Sequence, residues 1–275
     1  MRTVLFVLAL AVVSSMLARP VSADQTEITV GVRNRMHATL VTPDGPGPYP
    51  GVLILHTSGG LEDADLAYAN RLAGEGYVCL VPAFMAAYGL SAQSRFDAFT
   101  RDGDAIYADL VTALATLQSN PKVNGSKLAA IGFSAGGYFA VWLALTDKVQ
   151  AAVGYYGAYS GAGTDKSLTR FERIASASSA PVLILHGSDD ATVPLQAALR
   201  LATILENAKA PYQIRVYQSA GHLFDRDAFR PPAGFKRSQH GPELGGTSSG
   251  DAIANADAWA RTTDFLSTYV EAPTK

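Results

Sequence analysis

The sequence predicts an α/β fold, a mostly parallel sheet of about eight strands with helices on both faces. Three observations carry that reading. Short runs that are apolar throughout recur along the chain, as strands buried on both faces require. Between them lie segments with apolar residues at three- and four-residue spacing, which is how a helix with one buried face is written. The chain opens differently, on two runs that alternate apolar and polar residues, the pattern of antiparallel strands with one wet face.

The opening pair is Glu27 to Val32 and His37 to Val41, separated by the polar turn Arg33-Asn34-Arg35. After the Pro/Gly-rich turn Thr42 to Pro50 the apolar runs follow: Val52 to Leu55, Tyr77 to Val81, Leu128 to Gly132, Ala151 to Gly154, Val182 to Leu185 and Gln213 to Tyr217. Helical spacing covers Asp63 to Gly74, Asp102 to Gln118, Ala135 to Leu145, Leu195 to Ala208 and Ala252 to Tyr269. Gly74-Glu-Gly76, Asn120-Pro121 and Ala210-Pro211 supply the stops. No repeat is evident and nothing in the interior resembles a linker, so residues 24–275 read as one domain. In a doubly wound sheet the ligand site is expected at the carboxyl ends of the strands.

Composition narrows the partners. Lys+Arg of 22 against Asp+Glu of 24 gives a net charge of −2 with no basic block, which argues against nucleic acid or an anionic membrane and for a small-molecule substrate. Met1 to Ala23 has an early Arg2, an apolar run from Val4 to Val13 and the small-residue ending Val21-Ser22-Ala23, the three parts of a secretory signal peptide. The run is short for a bilayer span, so the expectation is a secreted or periplasmic protein with no stable membrane anchor after cleavage. Cys79, the single cysteine, cannot form an internal disulfide and reads as a buried apolar residue. His37, His56, His186, His222 and His240 show no pairing at ligand spacing, so no metal is expected.

The chemistry begins at Gly132-Phe133-Ser134-Ala135-Gly136-Gly137, placed where a buried strand hands over to an apolar helix. A serine on so sharp a turn is held in a strained conformation with its hydroxyl exposed above the sheet, and the glycines admit the close approach that the turn demands. Ser134 is therefore the candidate nucleophile. A serine hydroxyl needs an imidazole to take its proton, and His222 follows the last predicted strand, where it would sit on the same rim. The orienting acid should fall between the two, in the loop after Val182 to Leu185, where both Asp189 and Asp190 are available. The form His-Gly-x-x-Asp-x-x-Val-Pro, usual for this loop in such hydrolases, selects Asp190. Asp189 is the fallback, and a cap for the helix near Pro194 is the competing role for Asp190. Oxyanion donors are expected from the N–H of Ala135, at a helix N-terminus, and from the loop His56 to Gly60, at Ser58 with Thr57 next. His56 and His186 read as strand-end packing.

With these residues in view the chain resembles the dienelactone hydrolase family of α/β-hydrolases over nearly all of the mature sequence. The most specific pieces are the serine turn, Gly154-Tyr-Tyr-Gly157, His186-Gly to Pro194, and Tyr217 to Phe224. The resemblance implies an α/β-hydrolase fold, esterase or lactonase activity, and no cofactor. It also implies that Arg226, four residues after the histidine, takes the position at which dienelactone hydrolases hold a substrate carboxylate; a surface ion pair with Asp225 or Asp227 is the other reading. Two departures stand out. Serine replaces the cysteine nucleophile of the best-known members, and the glutamate they place beside the turn corresponds to Thr57. Phe84, Tyr88, Phe133, Tyr155 and Tyr156 lie near strand ends and are candidates to line an acyl pocket, with core packing as the alternative. The Pro/Gly/Ser-rich stretch 231–250 reads as a surface loop or lid.

The resulting expectation is an exported serine hydrolase of small esters or lactones, with Ser134, His222 and Asp190 in series. Its rivals are a peptidase or acyltransferase on the same residues and an exported binding protein that has lost catalysis.

Overall fold

A computed structural model describes residues 23–31, 36–91, 93–160, 166–226 and 244–271. All but the last residue of the predicted signal peptide, and the larger part of the 231–250 stretch, lie outside the described residues.

Eight strands form one sheet: β1 (Asp24–Val30), β2 (Met36–Thr42), β3 (Tyr49–Leu55), β4 (Val78–Pro82), β5 (Val123–Phe133), β6 (Ala151–Tyr155), β7 (Val182–Gly187) and β8 (Tyr212–Tyr217). Their order across the sheet is β1-β2-β4-β3-β5-β6-β7-β8. Strand β2 runs antiparallel to both β1 and β4, and every pairing from β4 through β8 is parallel. The predicted antiparallel opening pair and the parallel remainder are thus both present.

Helices cover both faces, and strand β3 explains how. Its side chains alternate sides, as in any strand. Val52 and Ile54 join Tyr68 and Leu72 of helix α1 (Asp63–Gly74) and Ala258 and Phe265 of helix α7 (Ser248–Val270). Leu53 and Leu55 instead belong to the core on the other face, which helices α3 (Gly103–Gln118), α4 (Ala135–Leu145) and α6 (Leu195–Asn207) share. Burial on both faces is why the strand reads as an unbroken apolar run.

Helix α4 is apolar all round and wholly buried, as expected of a helix enclosed by its neighbours. Each fully buried large apolar side chain contributes about 1.5–3 kcal/mol, against about 1 kcal/mol for an N-cap, so packing rather than capping fixes this helix. Cys79 is buried in β4, as expected for a small apolar residue.

Three features differ from the sequence reading. Helix α2 (Phe84–Ala87) and a 3-10 turn (Arg95–Phe99) are too short to carry a periodic pattern. Helix α5 (Lys166–Ile174) is brief and strongly charged. Helix α7 starts at Ser248 rather than near Ala252, because Thr247 caps it by accepting the Gly250 N–H at 3.0 Å. The end of the predicted surface loop is therefore helical.

Candidate active site

The serine turn occupies the end of β5. Ser134 has φ 51° and ψ −109°, a conformation that non-glycine residues avoid. Close packing holds it there. A Cβ on Gly132 would stand 2.1 Å from the Gly136 carbonyl oxygen, and one on Gly136 would stand 2.0 Å from that of Leu55. Ser134 N–H donates to the Tyr155 carbonyl at 3.0 Å, and Ala158 N–H donates to the Ser134 carbonyl at 2.9 Å, fastening the turn to the end of β6. A serine at the head of a helix ordinarily uses its hydroxyl as a cap. Here the hydroxyl makes no cap hydrogen bond, which leaves Oγ uncommitted to the helix.

Loops after β7 and β8 supply the partners. Nδ1 of His222 lies 2.8 Å from Oδ2 of Asp190, and both side chains are buried. The other oxygen of Asp190 accepts the N–H groups of Thr192 at 2.9 Å and Val193 at 2.7 Å, which fixes the carboxylate's direction. Asp190 therefore ties down the turn that leads into α6, while Pro194 heads the helix itself without a side-chain cap. Asp189 is exposed and accepts the Ser188 hydroxyl. The structure thus pairs Asp190, and not Asp189, with the histidine.

Tyr156 joins the two halves. Its backbone follows Tyr155, which anchors Ser134, and its ring lies 4.5 Å from the His222 ring. Its hydroxyl donates to Asp225 in a short hydrogen bond. Residues 244–246, at the end of the loop left open by the sequence, brace the same corner. His222 N–H donates to the Leu244 carbonyl at 2.6 Å, and Gly245 bridges to Asp190. Asp251, in the first turn of α7, accepts the Gly221 N–H at 2.8 Å through Oδ1.

The oxyanion donors expected from the sequence belong to Ala135 and to the loop of Thr57 and Ser58. Ala135 is the first residue of α4, and a helix leaves its leading N–H groups without intrahelical partners. Gly136 N–H donates to the His56 carbonyl at 3.1 Å, which lays the loop containing Thr57 and Ser58 against the serine turn. That loop is tight: Gly59 N–H donates to Thr57 Oγ1 at 3.0 Å and Gly60 N–H to the Thr57 carbonyl at 3.2 Å.

His56 and His186 pack as expected at strand ends. The His56 ring stacks on Phe84 with centroids 4.1 Å apart, and burial lowers its pKa from 6.5 to about 4. Burial likewise lowers the pKa of His186, with Asp190 opposing. His186 Nε2 sits 2.9 Å from the Val193 carbonyl and 3.5 Å from Asp190 Oδ2, so it backs the acid loop.

Several pocket candidates lie elsewhere. Phe84 is fully buried beneath His56. Tyr155 turns its hydroxyl to Thr262 at 2.7 Å and Tyr68 at 3.1 Å, within the core under α1 and α7. Phe133 is buried in the same core. These three are packing residues. Tyr88 is half-buried and donates to Asp109 of α3 at 2.8 Å, so of the five aromatics only Tyr156 touches the histidine.

Arg226 is buried rather than at the surface, and of its two expected partners Asp225 lies near it while Asp227 lies outside the described residues. Its Nη2 lies 3.0 Å from Asp65 Oδ1, its Nη1 3.3 Å from Glu62 Oε2 and its Nε 3.9 Å from Asp225 Oδ2. Its side chain is 5% exposed. Glu62 and Asp65 head α1, where Glu62 N–H donates to Asp65 Oδ2 at 2.9 Å. In sequence that pair reads only as a helix start, so nothing local announces its contact with Arg226, 161 residues on. Among the described residues no group of three or more His, Cys, Asp or Glu side chains could hold a metal ion.

Comparison with known proteins agrees with this architecture. The family model described as the dienelactone hydrolase family matches residues 36–270. A protein of Escherichia coli K12, provisionally named a carboxymethylenebutenolidase, is 28% identical over 81% of this chain and 78% of its own. A solved structure from Klebsiella pneumoniae, provisionally titled a dienelactone hydrolase, superimposes with a TM-score of 0.72 at 21% identity, covering 90% of this chain and all of that one. A dienelactone hydrolase-like promiscuous phosphotriesterase from metagenomic libraries gives a TM-score of 0.71 at 26% identity, over 91% of this chain and 99% of its own. With an eight-stranded, mostly parallel sheet and a match over most of its length, the chain belongs to the dienelactone hydrolase family of carboxylic ester hydrolases.

Proposed function

We propose that the protein is an exported serine hydrolase that cleaves small carboxylic esters or lactones through an acyl-enzyme. The observation that carries the proposal is the 2.8 Å contact between buried His222 and Asp190, in a protein that also holds Ser134 in a strained turn. With Nδ1–H donated to Asp190, Nε2 of His222 is the nitrogen left to act as base.

Ser134 Oγ attacks the substrate carbonyl carbon as His222 takes its proton. Negative charge develops on the carbonyl oxygen, where the N–H of Ala135 and that of Ser58 or Thr57 receive it. Collapse of the tetrahedral intermediate breaks the bond to the leaving oxygen, which takes the proton from the imidazolium. Water, deprotonated by His222, then releases the acid and restores the serine. Asp190 remains ionised throughout and stabilises the imidazolium.

A fluorophosphonate probe and a substrate panel test this reading. Native protein should be labelled covalently, Ser134→Ala should not, and short-chain p-nitrophenyl esters should turn over faster than chromogenic peptides. Equal labelling of Ser134→Ala would sink the serine mechanism, and faster peptide turnover would replace the esterase by a peptidase. Export is read from residues 1–23 alone. N-terminal sequencing of protein recovered outside the cytoplasm should begin at Asp24, and an intact Met1 there would remove that part of the proposal.

A further inference from the structure

The residue expected to receive a substrate carboxylate already holds protein carboxylates. A guanidinium offers a planar fork of five N–H groups. In Arg226 both terminal nitrogens face Asp65 and Glu62, and Asp225 lies beside Nε. Nε itself is buried and has no hydrogen-bond partner among the described residues. Asp225 is further held by the Tyr156 hydroxyl, on the ring that packs against His222. One cation thus stands among three carboxyl groups at the edge of the candidate site. Burial raises the pKa of Asp65 from 3.8 to about 6, with Arg226 opposing, so at neutral pH and above Asp65 is chiefly ionised.

Glu62 is the outward member. Its side chain is 53% exposed, while those of Asp65, Asp225 and Arg226 are 6% or less. It also stands beside the loop expected to donate to the oxyanion. A Cβ placed on Gly59 would lie 3.3 Å from Glu62 Oε1 and 3.2 Å from Thr57 Oγ1. A substrate approaching Ser58 therefore meets a carboxylate whose neighbouring cation is already shared with two more.

We propose that the enzyme selects esters whose acyl and alcohol parts carry no negative charge, and that Glu62 is the residue that sets this preference. This rests on the serine-esterase reading above and adds the charge class of its substrate.

The test compares kcat/KM for mono-p-nitrophenyl succinate with that for p-nitrophenyl levulinate, a neutral ester of similar size. Wild type should favour the neutral ester. Glu62→Gln should narrow the ratio about three- to tenfold, the effect of one nearby charge in a solvent-screened setting. Raising the ionic strength to about 1 M, where the Debye length is ~3 Å, should narrow it in wild type with no substitution made. A wild-type preference for the anionic ester, or a ratio that responds neither to Glu62→Gln nor to salt, overturns the inference while leaving the esterase intact. Absence of turnover of both esters together with absence of fluorophosphonate labelling overturns the esterase, and the inference with it.

Discussion

Asp190 presents one carboxylate oxygen to His222 Nδ1 at 2.8 Å and gives the other to the N–H groups of Thr192 and Val193 at 2.9 and 2.7 Å. The backbone thereby decides which way the acid points before any substrate arrives. In Asp190→Asn an amide N–H₂ can face the imidazole and favour the wrong tautomer, so kcat should fall about 10⁴-fold with little change in KM. Asp189→Asn, at an exposed position, should alter kcat by no more than about twofold, as surface changes usually do. Steady-state kinetics on one neutral ester would check both, and an equal loss in the two variants would contradict the pairing.

The serine turn depends on backbone contact that leaves no room for a methyl group. In Gly136→Ala the new Cβ would meet the Leu55 carbonyl oxygen at 2.0 Å, and neither β3 nor α4 can yield without moving core residues. Destabilisation of about 3 kcal/mol or more is expected in urea unfolding, the upper range for overpacking. Whatever protein folds should react with a fluorophosphonate far more slowly than wild type. Wild-type stability and labelling in this variant would contradict the packing.

Residues 244–246 join the acid loop to the histidine loop. Gly245 has φ +65°, and a Cβ there would lie 1.7 Å from the Asp189 carbonyl oxygen, so Gly245→Ala must displace the segment that carries Asp190. A shift of about 1 Å at catalytic groups can cost about 10²-fold in rate. Loss of that order in kcat is expected with near-normal circular dichroism. Unchanged kcat would mean that the bridge does not position the acid.

His56 should leave its mark on acid stability. Burial lowers its pKa from 6.5 to about 4, while its hydrogen bond with the Thr57 carbonyl works the other way. The unfolded chain therefore takes up a proton that the native state refuses. The contribution is complete above pH 6.5 and is lost as pH falls toward 4, by about 3 kcal/mol. Asp65 acts in the opposite sense: its folded pKa is raised from 3.8 to about 6, so its contribution is complete below 3.8 and is lost as pH rises through 6. Comparing wild type with His56→Gln isolates the histidine. The stability advantage of wild type, measured by urea unfolding, should shrink by about 3 kcal/mol between pH 7 and pH 4. A difference that does not vary with pH would contradict a buried neutral His56.

What the sequence disclosed and what it hid follow from how far apart the interacting residues lie. The strands were legible because Val52 to Leu55 and Val182 to Leu185 are apolar on both faces. Ser134 was legible because the strand, turn and helix that position it are consecutive. Asp190 and His222 were reachable because each directly follows a strand end. The contacts of Arg226 with Glu62 and Asp65 were hidden because those two head a helix early in the chain, where local spacing shows only a helix start. Tyr155 and Tyr156 are adjacent in sequence yet face different surroundings, the first the core under α7 and the second His222. No rule of composition separates them.

Trapping the acyl-enzyme tests the serine mechanism most directly. Protein mixed with excess p-nitrophenyl acetate, quenched in acid during turnover and digested, should yield an acetylated peptide whose modified atom maps to Ser134 by tandem mass spectrometry, and Ser134→Ala should yield none. Steady ester hydrolysis with no adduct on Ser134, or with the acetyl group on another residue that proves necessary for turnover, would contradict it.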